Sequence, residues 1–96
     1  MSTGSCRVVQ LDTEHLRVTR WEIEPGGIIP LHRHEHDYVV IPLVTAAMHV
    51  TTAAGEETQT LITTGESYTR AAGVEHQIEN RSSTARIVFI EVERIT

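Results

Sequence analysis

Four of the six histidines stand in two short groups, and their type and spacing are those of metal ligands. His32, His34 and His36 alternate with other residues, so on a strand all three imidazoles project from the same face. His76 stands in a second group, just beyond the turn expected at Gly73. Imidazole suits Fe, Zn, Ni and Cu alike, and two ligands on one strand form a ready chelate. We therefore expect a metal site if the fold brings the two groups together.

The spacing around these histidines resembles the two sequence motifs of the cupin family. Gly26–His34 holds a glycine, five residues and then His-Arg-His, as the first motif does, and Gly65–Asn80 follows the spacing of the second. The resemblance implies a double-stranded β-helix, the cupin barrel or jelly roll, which is usually a dimer. It also implies that His32, His34 and His76 are the ligands of one divalent metal ion inside the barrel. The residues leave the identity of the ion open among Fe, Zn, Ni, Mn and Cu.

Two positions depart from the family pattern. Ala71 stands where the second motif has proline, and Tyr38 stands where the first has a ligand glutamate, four residues after His34. A neutral phenol is a poor ligand beside a carboxylate. The site is therefore either three histidines with open positions or has a substitute ligand. His36 has the strand parity for that role, whereas Asp37 would need a bulge to turn inward. Tyr38 shares the inward parity of His34, either as a catalytic phenol beside the metal or as an aromatic of the pocket wall.

Strands must position these side chains, because apolar residues recur with period two and β-branched residues are frequent. Glycine or polar clusters punctuate the pattern and predict short turns. Closure of many short strands removes exposed edges, so we expect an all-β barrel or jelly roll in one domain over residues 1–96. Nine strands are predicted: Cys6–Leu11, Leu16–Glu24, Ile28–His34, Tyr38–Val44, Ala46–Thr52, Thr58–Thr63, Ser67–Arg70, His76–Glu79 and Ala85–Glu93.

Charge and composition exclude several classes of partner. The 96 residues carry 13 acidic and eight basic side chains, a net charge of −5, so neither nucleic acid nor an anionic membrane surface has electrostatic support. The longest stretch without a charged residue contains Pro42 and His49 and is too short for a membrane helix. The single cysteine, Cys6, and the lack of an apolar leader lead us to expect a cytoplasmic protein.

Two classes of function fit these residues. An open three-histidine site resembles that of thiol dioxygenases and diketone-cleaving cupins. The first hypothesis is therefore a metal-dependent, Fe(II)-like dioxygenase that acts on a small organic acid or thiol, with Tyr38 as a proton donor. The second is a non-catalytic cupin that binds or senses a small ligand and whose metal is structural. In either case we expect a homodimer that pairs the segment around Val8 and Val9 with its partner. Arg70 could bind a substrate carboxylate as a bidentate partner, but a lone arginine on a short strand is usually solvated, so it stays outside the predicted site.

Overall fold

The structure is a computed structural model that describes residues 2–96, and strands are its only regular elements in this range. Every predicted strand is present, with ends that differ by at most two residues. Residues 2–96 offer no helical segment of the length and apolarity that crossing a bilayer requires. The strands are β1 (Ser5–Asp12), β2 (Leu16–Ile23), β3 (Ile28–Arg33), β4 (Tyr38–Pro42), β5 (Ala46–Thr52), β6 (Glu57–Ile62), β7 (Tyr68–Arg70), β8 (Glu75–Glu79) and β9 (Ile87–Arg94). The predicted all-β class is confirmed.

The strands form two antiparallel sheets with the core between them. One sheet has five strands in the order β1-β2-β9-β4-β7, and the other has four in the order β3-β8-β5-β6. Side chains alternate along each strand, so every second residue points into the space between the sheets. The buried core draws on both sheets and consists of Ile23, Ile29, Tyr38, Val40, Met48, Ile62, Ile78, Ile87 and Phe89.

Asn80, directly after β8, closes one end of this sandwich, and its side chain is 1% exposed. Its amide nitrogen donates to three carbonyls, those of Ile23 at 3.1 Å, Glu24 at 3.2 Å and Ala85 at 2.8 Å. Its Oδ1 accepts a hydrogen bond from the backbone N–H of Ser82 at 3.1 Å. The side chain therefore ties the end of β2 to the turn that precedes β9, and all of its polar atoms have partners.

The turn before β3 depends on glycine at two positions. Gly26 adopts a φ of +77°, a left-handed conformation that favours glycine, and its N–H donates to the Asn80 carbonyl at 2.9 Å. The backbones of Gly4 and Gly27 approach so closely that a Cβ on Gly4 would lie 2.7 Å from the Cα of Gly27. The start of β1 thus packs against this turn without side chains between them.

The outer face of the five-stranded sheet is rich in apolar side chains. Val39 and Ile41 on β4 are register partners of Val92 and Ile90 on β9, and alternation directs all four away from the core. Val39 is 37% exposed, and Val8 on the edge strand β1 is 53% exposed. Val39, Ile41, Ile90 and Val92 form an apolar surface, which we call the outer apolar face. Arg20 on β2 is the register partner of both Val8 and Ile90 and lies between Val8 and this face.

Candidate metal centre

Three imidazoles meet at one point on the inner side of the four-stranded sheet. His32 on β3 and His76 on β8 are register partners, so their side chains leave the sheet on the same side. His34 follows the end of β3, where its N–H donates to the Val74 carbonyl at 2.8 Å. The Nε2 atom of His34 lies 2.9 Å from that of His32 and 3.2 Å from that of His76. The fold therefore brings the three predicted ligands together, with their ligand atoms all within 4.8 Å of one another.

These separations suit a common ion. Two nitrogens bound at 2.0–2.2 Å and a right angle apart lie about 2.8–3.1 Å from each other, and about 3.3–3.6 Å apart at a tetrahedral angle. The observed separation of 2.9 Å lies within the right-angle range, and the separation of 3.2 Å lies between the two ranges. The His32–His34 and His34–His76 nitrogen pairs therefore have separations that one divalent ion can bridge.

The outer ring nitrogens of two histidines show which inner nitrogens carry lone pairs. The Nδ1 atom of His32 lies 2.8 Å from the carbonyl oxygen of Pro30, which can only accept a hydrogen bond, so Nδ1 carries the hydrogen. The Nδ1 atom of His34 faces the Glu91 carboxylate at 3.5 Å, which favours the same tautomer. The Nε2 lone pair of His32 then faces the Nε2 atom of His34 at 2.9 Å, within reach of a shared cation.

A buried carboxylate stands behind His34. Glu91 on β9 is 6% exposed, and its Oε2 accepts a hydrogen bond from Nε1 of Trp21 at 2.7 Å. Burial raises the pKa of Glu91 to about 7, and the hydrogen bond from Trp21 offsets part of that rise. Because Glu91 approaches the nitrogen of His34 that points away from the other two imidazoles, it orients His34 and does not replace the missing ligand glutamate.

Sequence reasoning did not identify Glu91 as part of this site. The signal was the strand parity of β9, where Glu91 shares the inward face with Ile87 and Phe89. An acidic residue on a face that is otherwise apolar is costly unless it has partners, so that position pointed to a buried polar cluster.

Two of the histidines are neutral at neutral pH. Burial is the main cause that lowers the pKa of His34 and of His76 to about 4, and the charge of a protonated His32 is the second cause for both. Neutral imidazole is the form that binds a metal ion. His34 and His76 therefore stay neutral well below pH 7.

Tyr38 stands beside the histidines as an inward-facing phenol. It is 4% exposed, and its ring stacks on that of His34 with centroids 4.0 Å apart and planes 20° from parallel. Its buried hydroxyl has no hydrogen-bond partner within residues 2–96. Burial raises the pKa of Tyr38 above its usual value, so the phenol stays protonated and can donate a hydrogen bond. The predicted inward orientation is confirmed, and a catalytic role for Tyr38 stays a prediction.

Neither alternative to the missing glutamate joins the histidines. Asp37 is exposed, and its Oδ1 accepts a hydrogen bond from the N–H of Ala72 at 2.8 Å. His36 is half-buried and lies outside the group whose ligand atoms converge. Within residues 2–96 the centre therefore offers three candidate ligands, and the remaining coordination positions are open to small molecules.

Two cavities adjoin the centre from different sides. The smaller cavity, of about 290 Å³, reaches Tyr38 and His76, and most of its wall comes from apolar core residues. The larger cavity, of about 470 Å³, reaches His32 and His34 and has several charged residues around it. Glu91 contributes to the walls of both cavities. The centre can therefore be approached by small molecules from two directions.

Two facing sheets with a three-histidine centre are typical of the cupins, and comparison with known proteins agrees. Residues 19–93 match the family described as "Cupin domain", and the chain belongs to this family. It has the double-stranded β-helix fold, as a cupin domain of known structure from Bordetella pertussis Tohama I shows. That structure has 41% sequence identity and a TM-score of 0.90, over 98% of this chain and 96% of the other.

Two further relatives differ in what they indicate. The β-alanine degradation protein BauB of Pseudomonas aeruginosa is 41% identical over 85 residues, which cover 88% of this chain and 87% of that protein. The polyketide cyclase RemF of Streptomyces resistomycificus is 18% identical, with a TM-score of 0.76, over 99% of this chain and 68% of the other. The second similarity shows the fold alone.

Proposed function

We propose that residues 1–96 form a single-domain, metal-dependent enzyme in which His32, His34 and His76 hold one divalent ion. The ion favoured by this proposal is Fe(II), and the reaction is the dioxygenation of a small organic acid or thiol. The observation that carries the proposal is the convergence of three imidazoles, with Nε2 of His34 lying 2.9 Å from that of His32 and 3.2 Å from that of His76. Three neutral ligands leave the full double charge of an ion to attract an anionic substrate.

A bound Fe(II) supplies a Lewis acid and a centre that reduces O₂, and the protein residues provide the surroundings of the reaction. Glu91 and the Pro30 carbonyl hold two of the imidazoles in orientation through their outer nitrogens. Tyr38 presents a protonated hydroxyl that lacks a protein partner, and we assign it the role of donating a hydrogen bond or a proton to the substrate. The apolar wall of the smaller cavity keeps bulk water away from that hydroxyl.

The name of one relative supports a small organic acid as the substrate. BauB of Pseudomonas aeruginosa is described as a β-alanine degradation protein, and it matches this chain over most of both lengths. Breakdown of a short amino acid produces small carboxylic acids, which lie within the proposed substrate class. Cys6 is exposed and unpaired within the described residues, which supports the proposal of a cytoplasmic enzyme.

We also propose that the protein is a homodimer. Val39, Ile41, Ile90 and Val92 form the outer apolar face, and Val8 is exposed on the edge strand of the same sheet. Contiguous apolar surface of this kind marks protein interfaces, and a second copy of the chain covers both faces at once through a two-fold axis. This arrangement includes the N-terminal segment that the sequence pointed to.

Metal analysis followed by an oxygen assay tests the enzymatic proposal. Protein without a histidine tag is produced with iron supplied and air excluded, its metal content is measured, and O₂ consumption is then followed with small thiols, diketones and hydroxy acids. We expect about one iron per chain and O₂ uptake with at least one acid or thiol. Iron bound without uptake of O₂ for any substrate would favour the sensor or ligand-binding alternative, and no bound metal would contradict both.

The variant Tyr38→Phe tests the proton donor. Loss of a general acid costs about 10²–10⁴ in rate, whereas loss of a hydroxyl that only packs in the wall costs little. Metal content measured in the same samples serves as the control, because removal of the hydroxyl leaves the three imidazoles unchanged. An unchanged rate with full metal content would contradict the role assigned to Tyr38.

A further inference from the structure

The smaller cavity has a largely apolar lining that includes two polar groups, the phenol of Tyr38 and the guanidinium of Arg70. The buried core side chains Val40, Met48 and Phe89 are among its lining residues, as are three threonines. The Tyr38 hydroxyl is buried without a hydrogen-bond partner in the described residues, whereas Arg70 is exposed, so Arg70 is the group that a ligand in the cavity can reach. An apolar cavity with few convergent polar groups is the usual form of a small-ligand site.

Arg70 is the second polar group. It lies on the edge strand β7 as the register partner of Tyr38 on β4, and paired residues of neighbouring strands point to the same face. Its guanidinium lies 4.6 Å from the centroid of the Tyr68 ring, and Nη1 donates to the Thr69 carbonyl at 2.9 Å. These contacts orient the guanidinium at the cavity, where Arg70 forms part of the lining. Among residues 2–96 no carboxylate is paired with Arg70, unlike most of the other arginines.

We propose that the smaller cavity binds a short-chain monocarboxylate, whose carboxylate is held by Arg70 while its other end faces the histidine centre. The guanidinium offers paired N–H donors that match the two oxygens of a carboxylate. This inference rests on the proposed function for the site, because it names the substrate class that the same site selects. It makes Arg70 a specificity-determining residue, and Arg70 is exposed, as the sequence interpretation expected.

The charges around the cavity limit the ligand to one carboxylate. Glu75 and Glu91 also contribute to its wall, and both repel a second anionic group. The larger cavity is a weaker candidate, because two of its arginines already have acidic partners. Arg17 lies 3.7 Å from Asp12, and Arg33 lies 3.7 Å from Glu35.

Binding of propionate to the metal-loaded protein tests this inference, with propionamide as a neutral molecule of the same shape and malonate as a dicarboxylate. Calorimetric titration measures the affinity of the unchanged protein and of the variants Arg70→Gln, Arg70→Lys and Arg7→Gln. Arg7 lines the larger cavity, so its variant removes the same charge on the other side of the histidines and is the matched control. The metal content of every sample is measured in parallel.

We expect Arg70→Gln to weaken propionate binding by about 10- to 100-fold, the range for loss of hydrogen bonds to a charged group. Arg70→Lys should retain part of the affinity, Arg7→Gln should retain all of it, and propionamide should not distinguish the variants. Malonate should bind the unchanged protein more weakly than propionate.

Three results would overturn the inference: no propionate binding to the unchanged protein, an unchanged affinity in Arg70→Gln, or a loss in Arg7→Gln instead. Failure of the proposed function gives a different pattern. Protein that binds propionate through Arg70 but holds no metal, or holds iron and consumes no O₂, would contradict the enzyme and leave the carboxylate site in place.

Discussion

Asn80 and His34 are both buried polar side chains, and they lie at opposite ends of the β3–β8 pair. At the Asn80 end, the amide nitrogen and oxygen all have backbone partners. At the His34 end, the Nε2 atoms of three histidines converge, and the neighbouring hydroxyl of Tyr38 has no partner within residues 2–96. A cluster whose hydrogen bonds are complete stabilises the fold by itself, whereas an incomplete cluster needs a ligand.

This difference shows that the second sequence motif serves both ends of the β3–β8 pair. The second motif begins in the turn at Gly65, contributes His76 to the centre and ends at Asn80. The one stretch of chain therefore supplies a candidate ligand at the start of β8 and a structural residue just after its end. Substitutions at the two ends should affect separate quantities, namely metal affinity at one end and the free energy of unfolding at the other.

The largest expected effect is on metal affinity in His34→Ala. A structural zinc site with a full set of ligands binds with about 10–16 kcal/mol, so loss of one ligand should lower the affinity for Zn²⁺ by about 10²–10³-fold. The fold should stay intact, because the apolar residues between the sheets dominate its stability. Competition with a chromophoric chelator measures the affinity. The control is His36→Ala, which removes an imidazole outside the cluster; an equal loss in both variants would contradict the three-histidine centre.

The next effect concerns stability in Asn80→Ala. Removal of the amide leaves the carbonyls of Ile23, Glu24 and Ala85 short of a donor in the interior, and it should cost about 3 kcal/mol, roughly a hundredfold in the folding equilibrium. Urea unfolding measures this cost, and the Zn²⁺ affinity of the folded protein should not change. Asn80→Asp preserves the shape but replaces the donor by an acceptor, so it should be at least as destabilising. Full stability in Asn80→Asp would show that these hydrogen bonds contribute little.

Local patterns in the sequence predicted the strands and the shared face of His32 and His34, because both depend on alternation and spacing along the chain, whereas the resemblance to cupins implied that His76 joins them. The period-two pattern marks strands wherever one face is buried, which holds for β2, β4 and β9. The spacing of His32 and His34 directs both side chains to one face whatever the strand pairs with. Neither inference required knowledge of which strands are neighbours.

The contacts that complete the centre depend on strand pairing, and no local pattern specifies it. Trp21 and Glu91 are 70 residues apart and meet because β2 pairs with β9. Arg70 reaches the cavity because β7 pairs with β4 at Tyr38. Arg70 is exposed, as the sequence interpretation expected, but the sequence alone did not place it beside the cavity. The second layer around the metal centre was therefore beyond sequence reasoning, and a carboxylate role for Arg70 could be considered but not located.

A smaller effect on metal affinity is expected in Glu91→Gln. Its size distinguishes a carboxylate that positions His34 from one that binds the metal. Loss of a carboxylate that orients a metal-binding histidine usually costs about 10–100-fold in metal affinity, so Glu91→Gln should fall between the unchanged protein and His34→Ala. Trp21 fluorescence should shift in the same variant, because its Nε1 loses a charged acceptor. Glu93→Gln, two residues along the same face, is the control. A loss as large as that of His34→Ala would instead make Glu91 a direct ligand.

The smallest expected effect is the pH dependence of stability in the metal-free protein. The pKa of His34 and of His76 falls from 6.5 to about 4 on folding. The unfolded chain therefore takes up protons first, and the stability present above pH 6.5 is lost as the pH falls toward 4. The pKa of Glu91 rises from 4.5 to about 7, which has the opposite sign, since protonated Glu91 stabilises the fold below pH 7. Between pH 5 and 6.5 two histidine protons oppose one carboxyl proton, so stability should decrease on acidification with a net change of about one proton.

The variants Glu91→Gln and Asn80→Ala separate the contributions of the histidines and of Glu91 to the pH dependence of stability. In Glu91→Gln the opposing proton is absent, so the loss of stability between pH 6.5 and 5 should be about twice as steep as in the unchanged protein. Asn80 does not titrate, so Asn80→Ala should lower the whole curve and leave its slope unchanged. Urea midpoints of chelator-treated protein at several pH values measure both slopes. An equal slope in Glu91→Gln and the unchanged protein would mean that Glu91 keeps its ordinary pKa in the fold. A changed slope in Asn80→Ala would mean that the hydrogen bonds of Asn80 and the titration of the histidine centre, at the other end of the β3–β8 pair, are coupled.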